Sequence, residues 1–239
     1  MKFLYLEEID STNKYAKENI AKIEDKTVVF TSKQTSGRGR MQRKWNFTGD
    51  KNIYASIVLK PSNEIKEIYS NLTQYLCLVL AETFEEYNTI PKIKWPNDIQ
   101  INGKKISGIL AEAVVSYGKL EGLVLGFGVN LNCDKEILNN IDQPATSLNI
   151  EINKKIDSKD FLKKVLDKFC LRYDRFIEEG FLLIREDYKS RAGFLDKEVT
   201  VRVFDKEICG VAKDITESGA LKIIDYNNKE HVLLIGDIL

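Results

Sequence analysis

The sequence predicts an α+β chain in two parts, a strand-and-helix portion followed by a small all-β portion. Three observations predict it. Two stretches, 65–87 and 161–176, carry apolar residues at helical spacing. Short β-rich runs bounded by turn residues lie before and between them. After Arg191-Ala192-Gly193 the texture changes to four short strands separated by turns, which suggests a small barrel. The expected division is 1–190 and 191–239.

The elements follow in order. Asp10-Ser11-Thr12-Asn13 supplies capping side chains for a helix over Lys14 to Ile20. Val28 to Thr31 reads as a buried strand leading into a Gly-Arg loop, and Ile53 to Leu59 as a second strand stopped by Pro61. Ile65, Ile68, Tyr69, Leu72, Leu76, Val79, Leu80, Phe84 and Tyr87 predict a long amphipathic helix whose apolar residues are core. Ile93 to Trp95 and Asp98 to Ile101 are strand-like, and Asn102-Gly103 is a hairpin signal before Lys104 to Val115. Tyr117-Gly118-Lys119 predicts another turn before Leu120 to Leu125. Phe161, Leu162, Val165, Leu166, Phe169, Tyr173 and Phe176 predict a second amphipathic helix. The last strands are Glu198–Phe204, Glu207–Ile215, Ala220–Asp225 and Glu230–Ile235.

Composition excludes several classes. Lysine plus arginine equals aspartate plus glutamate, 36 against 36, so no overall charge favours nucleic acid or an anionic membrane. The cysteines Cys77, Cys133, Cys170 and Cys209 are widely spaced, with no C-x-x-C. That argues against a zinc ribbon, a redox pair or a disulfide scaffold and fits a reducing cytoplasm. The start, Met1 to Glu8, has acids where a signal peptide needs apolar residues, and no apolar run approaches a membrane span. The one histidine, His231, reads as a surface or edge-strand residue, so a histidine-based metal cluster or catalytic triad is not expected.

Four clusters carry chemistry-bearing residues: Ser11-Thr12-Asn13; Gln34 to Trp45; Lys94-Trp95-Pro96-Asn97-Asp98 with Lys105 to Leu110; and Gly126-Phe127-Gly128-Val129-Asn130-Leu131-Asn132. Each alone has an ordinary reading: a helix cap, a solvated basic loop, a turn with a strand lysine, a strand end or bulge. The second combines Arg38, Arg40, Arg43 and Lys44 with Gly37, Gly39 and Trp45. Glycine permits close backbone approach, and arginine offers a planar fork for carboxylate or phosphate. Such a loop is suited to closing over an anionic small molecule. No P-loop and no helix-opening dinucleotide fingerprint is present.

Taken together and in this order, the clusters resemble the biotin–protein ligase family. The resemblance implies a mixed β-sheet flanked by helices, the class II synthetase-like fold of the biotin and lipoate ligases, plus a C-terminal SH3-like barrel. It implies that biotin and ATP, with Mg²⁺, form biotinyl-5′-AMP, and that biotin then passes to a lysine of a biotin carboxyl carrier domain, with acetyl-CoA carboxylase the expected carboxylase. Carried over by position, Ser11, Thr12, Asn13 and Gln34 would meet the ureido head of biotin. Gly37, Arg38, Gly39 and Arg40 would form the loop over biotin and the adenylate, with Gly108 and Gly126 allowing backbone approach to biotin. Arg43, Trp45, Asn97 and Asn130 would surround ATP, together with Arg40, and Lys105 would lie at the reacting carboxylate and α-phosphate. Lys105 and Arg40 would act catalytically, and Asp98 would orient or deprotonate the incoming lysine or serve as a turn residue or indirect magnesium ligand. Only ten residues precede Ser11, too few for the winged helix of the repressor members, so the expectation is a monofunctional ligase without sequence-specific DNA binding. A homodimer is compatible with the chain. The alternatives are a lipoate–protein ligase and a non-catalytic binding module. The polar Ser-Thr-Asn cluster favours a ureido ring over a dithiolane, and retention of all four clusters speaks against a degenerate module.

Overall fold

The computed structural model describes residues 1–62 and 64–239. The chain runs through β1 (Lys2–Ile9), α1 (Thr12–Glu18), β2 (Thr27–Gln34), β3 (Gly37–Arg38), β4 (Lys44–Trp45) and β5 (Ile53–Leu59). Then come α2 (Leu72–Glu85), β6 (Pro91–Lys94), β7 (Asp98–Ile101), β8 (Lys104–Ser116) and β9 (Lys119–Val129). Next are α3 (Lys135–Asn139), α4 (Leu148–Ile152), α5 (Ser158–Glu179) and α6 (Arg185–Arg191). The chain closes with β10 (Glu198–Val203), β11 (Lys206–Ile215), β12 (Leu221–Asp225), β13 (Glu230–Leu233) and β14 (Asp237–Ile238).

Seven strands form a mixed sheet in the order β1-β2-β5-β9-β8-β7-β6. Among the described strand pairs of this sheet only β1–β2 is parallel, with α1 as its crossover. Sequence reasoning places no strand at β1. As a sheet edge it packs Leu4 and Leu6 against the small cluster, half-buries Ile9 and leaves Phe3 and Tyr5 exposed. The turns at Asn102-Gly103 and Tyr117-Gly118 close two hairpins with positive φ at both residues, 51° and 73° in the first and 49° and 75° in the second.

The two faces of this sheet differ. On one, Ile57, Leu59, Leu125 and Phe127 join a large apolar core with α2 and α5. On the other, Val29, Val58 and Val124 form a smaller cluster with Ala16 and Ile20. The second helix matches its expected seven buried residues, Phe161 to Phe176, in α5. The first does not match a one-faced helix over 65–87. Ile65 is exposed, a 3₁₀ turn spans Glu67–Asn71, and α2 is buried on nearly every side. The reason is that α5 covers its outer face, with Tyr75 stacked on Phe176 at 4.5 Å between centroids.

The C-terminal sheet is antiparallel, in the order β13-β12-β11-β10-β14. Among the described residues its outer strands β13 and β14 are not paired with each other. His231 lies on the edge strand β13, with Nε2 2.8 Å from Asp225 Oδ2. Val201, Ala212, Leu221 and Ile223 belong to the same continuous core as the large sheet. The two-residue β14 escapes sequence reasoning, yet it returns the C-terminus to the large sheet's functional face. Among the described residues no cysteine is paired, and no helix is long and apolar enough to cross a membrane.

Candidate active site

The floor of the site is set by strand register. Ser56, Gly126 and Leu110 lie abreast on β5, β9 and β8, and Tyr54, Gly128 and Gly108 form the next row. With a side-chain period of two, both glycines of Gly126-Phe127-Gly128 face α1, while Phe127 faces the core. They lie near the C-terminal end of β9, paired on both sides and away from the bulge in the β8–β9 pair. A Cβ on Gly126 would stand 1.9 Å from Asn13 Oδ1, and one on Gly128 would stand 2.2 Å from the Trp45 indole. The missing side chains therefore make room for Asn13 and Trp45.

One end of the cleft is neutral and polar. Ser11 caps α1, its hydroxyl accepting from Lys14 N, which places Thr12 and Asn13 in the first turn, buried. Gln34 Oε1 accepts from Thr12 N at 2.9 Å and Thr12 Oγ1 at 3.2 Å, and among the described residues the Gln34 Nε2 hydrogens have no partner. Asn13 Nδ2 donates to Leu110 O at 3.1 Å and Glu112 Oε2 at 3.0 Å, and Asn13 Oδ1 accepts from Ser56 Oγ at 2.6 Å. This end therefore offers a free amide donor and a free carbonyl lone pair, a complement to a ligand carrying both C=O and N–H.

The other end is cationic. Arg38, Arg40, Arg43, Lys44, Lys94 and Lys105 line the cleft against only two carboxylates, Asp98 and Asp237, a local net charge of +4 on a neutral chain. Lys105 Nζ lies 2.8 Å from Asp98 Oδ2, both largely buried, and 5.7 Å from the centre of the Trp45 ring. Its backbone is fixed from a distant segment: Lys105 N donates to Pro144 O and Thr146 N donates to Lys105 O, each at 2.9 Å. Burial pushes the Lys94 ammonium below its usual range. Asn97 is held by Nδ2 donating to Ile109 O at 2.9 Å.

The Gly-Arg loop closes over this end. Gly39 N donates to Arg43 O at 2.7 Å, and Met41 at its tip has a left-handed φ of 50°. The loop is pinned from the far end of the chain. Arg40 Nη1 lies 3.0 Å from Asp237 Oδ1 and Arg43 Nη2 3.4 Å from Asp237 Oδ2, with Asp237 on β14.

Of the residues nominated from sequence, Ser11, Thr12, Asn13, Gln34, Arg38, Gly39, Arg40, Arg43, Trp45, Asn97, Asp98, Lys105, Gly108 and Gly126 line one cleft. Gly37 and Asn130 do not. Gly37 is a packing position, where a Cβ would stand 2.3 Å from Trp45 O. Asn130 lines a smaller adjoining recess with Lys44, Trp45 and Lys105, and its Nδ2 donates to Thr146 O at 3.1 Å. Lys44, Lys94 and Gly128 also line it; the sequence places them in the four clusters but gives them no role, and Gln143, Asp237 and Ile238 it does not single out at all. The period of two in Gly126-Phe127-Gly128 carries the signal for Gly128. Nothing local carries one for Asp237.

The model of the biotin/lipoate A/B protein ligase family matches residues 5–130. The chain belongs to that family. It is 32% identical over 197 residues to the bifunctional ligase/repressor BirA of Bacillus subtilis, covering 82% of this chain and 60% of that protein. It is 29% identical over 219 residues to the biotin–[acetyl-CoA-carboxylase] ligase of Paracoccus denitrificans, covering 89% of this chain and 90% of that one. In structure it is similar to the biotin protein ligase of Aquifex aeolicus in complex with biotin and ATP, with a TM-score of 0.83 and 29% identity, covering 100% of this chain and 97% of that chain. The mixed sheet flanked by helices is the fold expected of the family. Among the described residues no group of three or more histidine, cysteine or acidic side chains is placed to hold a metal.

Proposed function

We propose that the chain is a biotin–protein ligase. It activates biotin with ATP to biotinyl-5′-AMP and passes biotin to a lysine of a biotin carboxyl carrier domain in the cytoplasm. The observation that carries the reading is one cleft whose neutral end matches a ureido ring and whose cationic end matches a carboxylate meeting a polyphosphate. In this reading residues 1–190 form the catalytic unit and 191–239 contribute Asp237 to it.

The first step joins two anions. The biotin carboxylate oxygen attacks the α-phosphorus, the bond to the β-phosphate bridging oxygen breaks, and pyrophosphate leaves. Fixed cations must offset the repulsion and the charge growing at phosphorus. Lys105, held by Asp98 and by its pinned backbone, is the group for the reacting centre. Arg40 and Arg43 are the groups for the phosphates, which would take over from Asp237 as their partners. Gln34 and Asn13 fix the ureido head, and Trp45 and Asn97 flank the nucleotide. Asp98 Oδ1 is buried without a hydrogen-bond partner, so Asp98 fits as the carboxylate that would touch a magnesium ion arriving with the phosphates. Such an ion would supply further charge neutralisation. In the second step the neutral acceptor amine attacks the acyl carbon, the bond from that carbon to the phosphate oxygen breaks, AMP leaves, and the amine's proton passes to water. No covalent link to the enzyme is needed. The loop over Arg38 to Arg43 keeps water from the mixed anhydride.

ATP–pyrophosphate exchange in Mg²⁺, with biotin, lipoate or no acid added, tests the reading. Exchange dependent on biotin alone is expected. Exchange dependent on lipoate alone, or on neither acid in folded protein, overturns it.

A further inference from the structure

Glu112 lies beyond the cleft lining, on β8, and none of the roles above uses it. Its position is nevertheless specific. Oε2 accepts from Asn13 Nδ2 at 3.0 Å, and Oε1 lies 2.6 Å from Lys17 Nζ and 3.9 Å from Arg38 Nη1. The carboxylate thus ties α1, the sheet and the base of the Gly-Arg loop together, and its side chain is only 17% exposed.

The consequence falls on Asn13. A carboxamide has two N–H donors and a carbonyl with two lone pairs. Both Asn13 hydrogens are engaged, one on Leu110 O and one on Glu112. One lone pair of Oδ1 takes the Ser56 hydroxyl. What remains for a ligand is a single acceptor site. Turning the amide over would set its carbonyl oxygen against a carboxylate and a backbone carbonyl, two acceptors with no hydrogen to offer. An ionised Glu112 therefore acts with the Leu110 carbonyl to fix Asn13 in the acceptor-facing sense.

We propose that Glu112 is a specificity-positioning residue: by locking the Asn13 amide it makes the cleft demand a ligand N–H at that point. The proposal rests on biotin being the ligand, since a ureido nitrogen supplies that hydrogen and a dithiolane does not. A site built to bond an N–H rejects a ligand lacking it, because its own acceptor is left unpaired.

The test compares biotin with biotin methylated at one or the other ureido nitrogen, in the wild type and in Glu112→Leu and Glu112→Gln, by direct titration and by pyrophosphate exchange. The wild type is expected to bind at least one methylated form about tenfold or more weaker than biotin, the loss of one hydrogen bond. In Glu112→Leu, where of these two acceptors only the Leu110 carbonyl still opposes reversal of the amide, that ratio falls about threefold or more, while kcat and the KM for ATP stay within threefold of wild type. Glu112→Gln, whose amide presents an N–H as readily as a carbonyl, shows a smaller fall in the same direction. An unchanged ratio in either variant that folds by thermal melt overturns the proposal, whatever happens to the KM for biotin. So does a wild type that binds all three forms equally. A wild type that binds none of them refutes the biotin reading itself.

Discussion

Replacing Gly126 by alanine adds one methyl group, and the structure says where it goes. Its carbon would stand 1.9 Å from Asn13 Oδ1 and 2.6 Å from Asn13 Cγ. Ordinary contact between such atoms is about 3.5 Å, so the carboxamide must retreat by roughly 1.5 Å. It has nowhere to rotate in place, because Leu110, Glu112 and Ser56 hold it at 3.1, 3.0 and 2.6 Å. A neutral hydrogen bond is worth about 1 kcal/mol net and one to a charged group about 1.5–3. Losing the Glu112 bond and one neutral bond comes to about 3 kcal/mol, divided between folding and ligand binding. If half falls on binding, biotin affinity drops about tenfold. Calorimetric titration with biotin and urea denaturation measure the two shares. Gly118→Ala is the control: nothing lies within 4 Å of its Cβ, and its φ of 75° leaves only left-handed strain, about 1 kcal/mol of stability with biotin binding untouched. Gly126→Ala with biotin affinity within twofold and an unmoved urea midpoint would refute the steric account of the glycine floor.

Other outcomes follow from the same geometry. Asp237→Ala removes the shared partner of Arg40 and Arg43, and the freed, partly exposed arginines rehydrate. Limited trypsin cleavage at those arginines should quicken about five- to thirtyfold, for a contact of about 1–2 kcal/mol; an unchanged rate would show that the C-terminal strand does not pin the loop. Arg40→Gly should retain biotin-dependent pyrophosphate exchange but release biotinyl-AMP, so that lysines of a bystander protein are labelled at least about tenfold more than by wild type. Labelling confined to the carrier domain would count against the lid. Burial alone would raise the Glu112 carboxyl, but hydrogen bonds from Lys17 and Asn13 and the charges of Lys17 and Arg38 hold it below its ordinary 4.5. A carboxyl lowered in the folded state stabilises fully above its unfolded value and loses that contribution as pH falls through the folded one. Urea stability of the wild type should therefore decline more than that of Glu112→Gln between pH 6 and pH 3 (values of the assay, roughly spanning the carboxylate range). Parallel declines would remove Glu112 from the acid response.

The sequence by itself determines what local periodicity and local chemistry can carry. Seven apolar residues at helical spacing name the buried face of α5, because a helix face is fixed by spacing alone. Asn102-Gly103 and Tyr117-Gly118 mark their turns, because few residues accept two successive positive φ values. The arginines and glycines of the loop announce an anion, since charge and backbone freedom are properties of the residues themselves. Periodicity names a face but not its partner. That is why α2 reads as one-faced until α5 covers its other side, and why β1, five of whose eight residues are exposed at a sheet edge, does not read as a strand. The contacts that finish the site all join distant segments. Asn13 meets Glu112 from 99 positions away, Pro144 and Thr146 clamp the backbone of Lys105, and Asp237 reaches the Gly-Arg loop from the last strand. None has a local signature, because an aspartate near a C-terminus or a glutamate in an alternating strand is ordinary until folding decides what it faces. Strand register and the packing of the small sheet against the large one make those choices, and with them the difference between a set of polar motifs and a cleft with a neutral end and a cationic end.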